Sequence, residues 1–140
     1  MAAIVAGLPE AHYADLPNGQ RLHYIDNGSG PVVVFLHGSG SGASGHSNFK
    51  YNYPYLAERG YRVIVPDLIG YGYSDKPEDA QYHLDFFVEC IKQLLDHLKV
   101  STCALIGNSL GGAIAIKFTL DNPAQVDKLV LMAPGGLEEQ

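Results

Sequence analysis

The sequence predicts an α/β fold: a mostly parallel sheet with helices on both faces and an antiparallel edge formed by its N-terminal strands. Three observations predict it. The apolar runs in "PVVVFL", "YRVIVPD", "CALIG" and "KLVLMAP" are too short for helices and read as strands buried on both faces. Helical or loop segments separate these runs, so the strands must run parallel. Two more polar segments precede the first run and are joined by a tight turn.

In chain order, "AHYADLP" and "RLHYIDNG" flank "NGQ" at residues 18–20 and form a hairpin, with Leu22 and Tyr24 set between more polar neighbours. "NGSGP" at 27–31 is the next turn, and 32–36 is the first buried strand. The run "HGSGSGASGHSNF" at 37–49 is a glycine loop. The segment 48–59 starts irregularly because "KYNYPY" carries a proline. "YRVIVPD" is the second buried strand, and "LIGYGYSDKPEDAQ" is a loop with repeated turn signals. "YHLDFFVECIKQLLDHLKV" has the clearest helical period. Phe86, Phe87, Cys90, Ile91, Leu94, Leu95 and Leu98 form its apolar stripe, while Asp85, Glu89, Lys92, Asp96 and Lys99 face water. "CALIG" is the third buried strand. "GGAIAIKFTLDNP" is a helix stopped by Asn122 and Pro123. "KLVLMAP" is the fourth buried strand.

The 140 residues suffice for one domain, 1–140, with one core, and 46% apolar content fits a folded globule. The net charge of −6, without a basic block, argues against nucleic acid and anionic membrane surfaces. No apolar run approaches the length of a membrane span. "MAAIVAGLPEA" lacks a basic region and reads as an ordinary N-terminus. Cys90 and Cys103 fit the apolar patterns of their segments, so buried free thiols and a reducing, cytoplasmic setting are expected. The histidines and acids show no metal-ligand spacing, and no cofactor is implied.

The chemistry centres on "GNSLGG" at 107–112, a G-x-S-x-G between a strand and a helix. A sharp turn there lifts the Ser109 hydroxyl out at the C-terminal end of the sheet. Side chains at Gly107 or Gly111 would collide in so tight a turn. The helix N-terminus adds free N–H groups, and Leu110 N–H is one donor for an oxyanion. The second donor should come from a loop after an earlier strand, and Ser39 N–H in the glycine loop is the candidate. A plain turn rich in small residues is the competing reading of this motif.

A dinucleotide-binding domain is a further alternative. Gly40, Gly42 and Gly45 spell G-x-G-x-x-G, and Asp67 follows 22 residues later. Three features oppose it: the polar, proline-broken "GHSNFKYNYP" where a helix should open, the two strands that precede, and the serine turn left unexplained.

"FLHGSG", "PDLIGYGYSD", "GNSLGG" and "LVLMAPGG" resemble, in order and spacing, the α/β-hydrolase superfamily across nearly the whole chain. The longer glycine loop, with "GNSLGG" and "LMAPGGL", resembles more narrowly the meta-cleavage-product hydrolases, which cleave carbon–carbon bonds in vinylogous diketones made by ring opening of catechols. The resemblance implies Ser109 as nucleophile, Ser39 and Leu110 as the backbone N–H pair, and Gly38, Gly40, Asn48 and Asn108 at the substrate. His46 stands where that subfamily commonly has tryptophan and Ser41 where it commonly has proline. Ester or lactone hydrolysis would use the same parts.

The superfamily order is serine, then acid, then histidine. No histidine follows Ser109, and the later acids are Asp121, Asp127, Glu138 and Glu139. His12, His23, His37, His46, His83 and His97 all precede it; His37 reads as structural, and His46 is nearest the glycine loop. The expectation is the N-terminal half of such a hydrolase, a truncated form without lid, last strands, acid or histidine, and inactive alone. Its carbonyl substrate would be small. "KLVLM" would become an open apolar edge that self-associates or binds a complementary C-terminal half. A folded non-catalytic or self-associating module is the alternative.

Overall fold

The computed structural model describes residues 10–133. Among these, six strands form one sheet in the order β1-β2-β4-β3-β5-β6. The strands are β1 His12–Asp15, β2 Arg21–Asn27, β3 Val32–Leu36, β4 Arg62–Pro66, β5 Cys103–Asn108 and β6 Val126–Met132. β1 and β2 are antiparallel additions, and β4, β3, β5 and β6 run parallel. This is the predicted α/β sheet with its antiparallel edge.

β2 departs from simple alternation. Leu22, His23, Tyr24 and Ile25 are all buried, because β2 lies between β1 and β4 and the 67–75 loop folds over it. His23 N–H donates to Ser74 Oγ, and Asp75 N–H donates to Arg21 O.

The glycine loop gives way to a helix sooner than the sequence suggests. Helix α1, Gly45–Phe49, is opened by Ser44, whose hydroxyl accepts from Ser47 N–H while Ser47 Oγ accepts from Ser44 N–H. This reciprocal cap uses serine where glutamate or glutamine is usual, which hides it from pattern reading. Helix α2, Tyr53–Glu58, carries Pro54 in its first turn. The proline therefore starts a helix and does not break one.

Helix α3, Leu84–His97, and helix α4, Leu110–Asp121, cover one face of the sheet. The stripe on α3 is as predicted, with Val88 added to it and Phe86 and Leu98 at its margin. The core beneath includes Leu105, Ile114, Ala115 and Phe118. On the opposite face α1 and α2 pack over β3 and β4, burying Val33, Phe35, Phe49, Tyr53, Val63 and Val65.

β5, predicted to be buried on both faces, is only half-buried on one, and β6 is the open apolar edge expected of "KLVLM". β5 alternates, with Ala104 and Ile106 half-buried on the α1–α2 side. β6 is exposed from Asp127 to Met132. It is the last strand of the sheet, and the α1–α2 layer stops short of it. Its composition is that of an interior strand, but its position is an edge.

Candidate active site

β5 ends at Asn108 and α4 begins at Leu110, so Ser109 alone makes the strand-to-helix turn. Its backbone holds φ +55 and ψ −115, a region that residues with side chains rarely adopt without constraint. The constraints are visible. Ser109 N–H donates to Met132 O on β6 at 3.0 Å, and Ser109 O accepts from Gly112 N–H at 2.9 Å. A Cβ on Gly111 would lie 2.0 Å from Leu36 O, and one on Gly107 would lie 2.5 Å from Gly111 O. Both glycines are required by space, as the motif predicts.

The glycine loop leaves β3 and lies directly against this turn: a Cβ on Gly38 would sit 3.3 Å from Ser109 Cβ. An open cleft of about 360 Å³ joins the two segments, lined by Gly38, Ser39, Gly40, Asn48, Asn108 and Ser109 among others. Leu110 is not among the lining residues; its side chain packs on the α3–α4 core, and it begins the helix whose first N–H groups have no intrahelical partner. Asn48 ties the cleft together. Its Oδ1 accepts from Gly38 N–H and from Asn108 Nδ2, each at 3.0 Å.

Of the struts behind the glycine loop, His37 was read as structural from the sequence and Asp67 was not. His37 is fully buried. Leu68 N–H donates to its Nε2 at 3.0 Å, so that nitrogen carries no proton, and Nδ1–H donates to Gly38 O at 2.6 Å. Burial holds its pKa below the ordinary 6.5, against the opposing pull of the Gly38 carbonyl. Asp67 accepts from Gly45 N–H, Tyr73 N–H and His23 Nδ1. Burial pushes its carboxyl up, but the hydrogen bonds from His23, Tyr73 and Gly45 outweigh this and hold it below the usual aspartate range. The only sequence signal was an aspartate ending an apolar strand.

With its oxygens so occupied, and only 2% exposed, Asp67 is unavailable to a ribose. Gly45 does open a helix, contrary to the sequence argument, and it packs tightly on Val65 and Pro66. That helix has only five residues, and two strands precede β3.

None of the six histidines lines the cleft among its described residues. His23 pairs with Asp67, His37 is the strut, and His46 Nδ1 meets Tyr53 OH at 2.7 Å. His12 stacks on Tyr24, and His83 and His97 are exposed at the two ends of α3. No group of three or more metal-ligating side chains occurs among the described residues. Glu138 and Glu139 lie outside them.

Residues 31–139 match the family described as alpha/beta hydrolase fold, and the chain belongs to that family. Within it, the chain is 39% identical over 129 residues to the 2-hydroxymuconate semialdehyde hydrolase of Pseudomonas sp. (strain CF600), covering 92% of this chain and 45% of that protein. It is 44% identical over 116 residues to the 2-hydroxy-6-oxononadienedioate/2-hydroxy-6-oxononatrienedioate hydrolase of Escherichia coli O139:H28 (strain E24377A / ETEC), covering 82% of this chain and 40% of that one. A solved structure of a variant of the meta-cleavage product hydrolase CumD from Pseudomonas fluorescens IP01, complexed with acetates, superposes with a TM-score of 0.84 at 36% identity, over 89% of this chain and 45% of that chain. The chain thus spans less than half the length of the relatives it matches. No helix among the described residues is long and apolar enough to cross a membrane.

Proposed function

We propose that these residues supply the nucleophile and anion site of a serine hydrolase that cleaves a carbon–carbon bond in a small ring-opened diketone. The observation that carries this reading is Ser109 at φ +55, held alone between β5 and α4 and facing the glycine loop. Ser109 Oγ attacks the substrate carbonyl carbon and gives its proton to a base. The resulting oxyanion is held by the N–H groups of Ser39 and Leu110, a contribution of about 2.7–4 kcal/mol per donor. Collapse expels the carbon leaving group as a delocalised carbanion, which takes up a proton, and water then releases the acyl group from Ser109.

Asn48 and Asn108, with Gly38 and Gly40, hold the polar end of the substrate. Asn48 Oδ1 and Asn108 Nδ2 are engaged with one another, which leaves Asn48 Nδ2 and Asn108 Oδ1 as the groups to meet the ligand. No histidine shares the cleft, so the base and its acid come from the polypeptide that corresponds to the unmatched part of the relatives. The 140 residues alone are then inactive. Two buried free thiols fit a reducing, cytoplasmic setting, and the net charge of −6 fits a partner other than nucleic acid.

A fluorophosphonate probe tests the reading. The chain alone should label negligibly. Mixed with the C-terminal remainder of the 2-hydroxymuconate semialdehyde hydrolase, it should label at Ser109, and Ser109→Ala should abolish that labelling. Labelling that survives Ser109→Ala, or a mixed complex that stays unlabelled, would overturn it.

A further inference from the structure

An anion site that uses Ser39 N–H depends on which way one peptide bond faces. Gly38 O and Ser39 N–H belong to the same peptide, and no peptide among the described residues is cis. The two groups therefore point in opposite directions. On the Gly38 side no Cβ resists rotation of this peptide. One orientation offers Ser39 N–H to the cleft. The flipped one would offer the Gly38 carbonyl oxygen, which repels an anion. The surrounding hydrogen bonds choose between them. Gly38 O accepts from Nδ1–H of the fully buried His37 at 2.6 Å. Gly38 N–H donates to Asn48 Oδ1 at 3.0 Å. Ser39 N–H, by contrast, has no acceptor among the described residues, and Ser39 lines the cleft.

We propose that His37 is a positioning residue for the oxyanion: its Nδ1–H holds the Gly38 carbonyl toward the core and so aims Ser39 N–H at the oxygen of a substrate carbonyl bound at Ser109. The ring does this in only one tautomer. Leu68 N–H donates to Nε2 at 3.0 Å, so the single proton of the neutral ring resides on Nδ1. Tyr71 packs edge-on against the ring, with centroids 5.2 Å apart and planes at 75°, and fixes its plane. A chain of donors results: Leu68 N–H to Nε2, Nδ1–H to Gly38 O, and Ser39 N–H to the oxyanion. Each bond polarises the next, so the ring also strengthens the donor that it aims.

Asp67, the neighbour of Leu68, holds the far end of the same loop through Gly45 N–H at 2.8 Å. Two consecutive residues just past β4 thus grip the glycine loop at both ends, and at Gly38 the grip also decides the direction of a cleft-facing N–H. This role differs from packing. A ring that merely filled space would be replaced by any side chain of similar size, whereas positioning requires a donor at the place of Nδ1. The oxyanion part of the inference rests on the role given to Ser39 above; the hold of His37 on the peptide does not.

Two substitutions in the 140-residue chain separate the ring's two hydrogen bonds. His37→Asn carries its amide on Cγ and keeps a donor near the place of Nδ1. His37→Gln reaches toward the place of Nε2 and keeps an acceptor for Leu68 N–H, but leaves Gly38 O without a donor. Crystal structures should show the Gly38 carbonyl turned to the core in the parent and in His37→Asn, and turned into the cleft in His37→Gln. Acetate, titrated by amide NMR, should move Ser39 and Leu110 N–H in the parent. His37→Gln should bind acetate about tenfold more weakly, as loss of one hydrogen bond to a charged group does, with the Ser39 response lost and the Leu110 response kept. A Gly38 carbonyl that stays on the core side in His37→Gln, with Ser39 still responding to acetate, would overturn the proposal. A parent in which neither amide responds, but whose peptide flips in His37→Gln, would sustain the hold of His37 on the peptide and sink only the anion-site reading. Circular dichroism checks that both variants fold. Should His37→Gln not fold, the parent still decides. Its His37 Nδ1 should show a coupling across the hydrogen bond to the Gly38 carbonyl carbon, and a neutral ring protonated on Nε2 would overturn the proposal.

Discussion

A methyl group on Gly111 would land on the carbonyl oxygen of Leu36, whereas one on Gly40 would meet nothing within 4 Å. Gly111→Ala should therefore destabilise the protein by about 3 kcal/mol or more, at the upper end of overpacking costs, and Gly40→Ala should leave the urea midpoint within about 0.5 kcal/mol of the parent. Equal effects would show that the elbow relaxes around the added carbon. Titration makes a second residue-scale test. The folded-state pKa of Asp67 lies below its free value of 3.8, and that of His37 below 6.5. In both cases the unfolded chain takes up the proton first on acidification. The stability tied to His37 should start to fall as pH drops through about 6.5, and that tied to Asp67 only below about 3.8. Urea midpoints from pH 8 to pH 3 should decline in these two stages, and Asp67→Asn should flatten the second. An imidazole of His37 that is charged at pH 6 by NMR would contradict the hydrogen bond from Leu68 N–H. The serine turn was readable at this scale because steric necessity writes itself as glycine. Of the struts, His37 was readable as structural, but Asp67 was not, because an aspartate at a strand end looks alike whether it braces a loop or holds a ligand.

Among the elements, α3 was the most legible and α1 the least. A helix of 14 residues prints its buried face as a repeat. A short strand prints only apolarity, which is the same for an interior strand and for an edge awaiting a neighbour. α1 escaped notice because five residues carry no period and its cap is unconventional. The start of α3 offers a test of local energetics. His83 occupies the N-cap with extended backbone, φ −107 and ψ 172, and makes no side-chain cap hydrogen bond. His83→Ser should stabilise the protein by about 0.5–1 kcal/mol, read as a higher urea midpoint. No gain would mean that the backbone there is set by the 76–82 loop and not by the cap. Leu94 is fully buried on the same helix, and Leu94→Ala should cost about 2–5 kcal/mol.

For the molecule as a whole, the two cysteines report on its integrity. Cys90 and Cys103 lie in the core beneath α3 and α4, and burial pushes both thiols up to about 11. A disulfide reagent at neutral pH should find neither thiol in the native protein and both in urea, so thiol release should track unfolding by circular dichroism. Fast reaction of the native protein would mean that the core opens locally. The overall architecture was legible because alternating apolar runs and helical patterns leave few topologies; strand order was not, since no local pattern encodes which parallel strand lies beside which. That order governs the molecule's assembly in time. Val33 of β3 lies opposite Ala104 of β5, a partner some 70 residues further along the chain. At about 5–20 residues per second of synthesis, the apolar run 32–36 leaves the ribosome roughly 4–14 s before the strand that closes its second side exists. During that interval the centre of the future sheet is itself an open edge, so the nascent chain is most vulnerable to mispairing at the strand that is best protected in the finished fold.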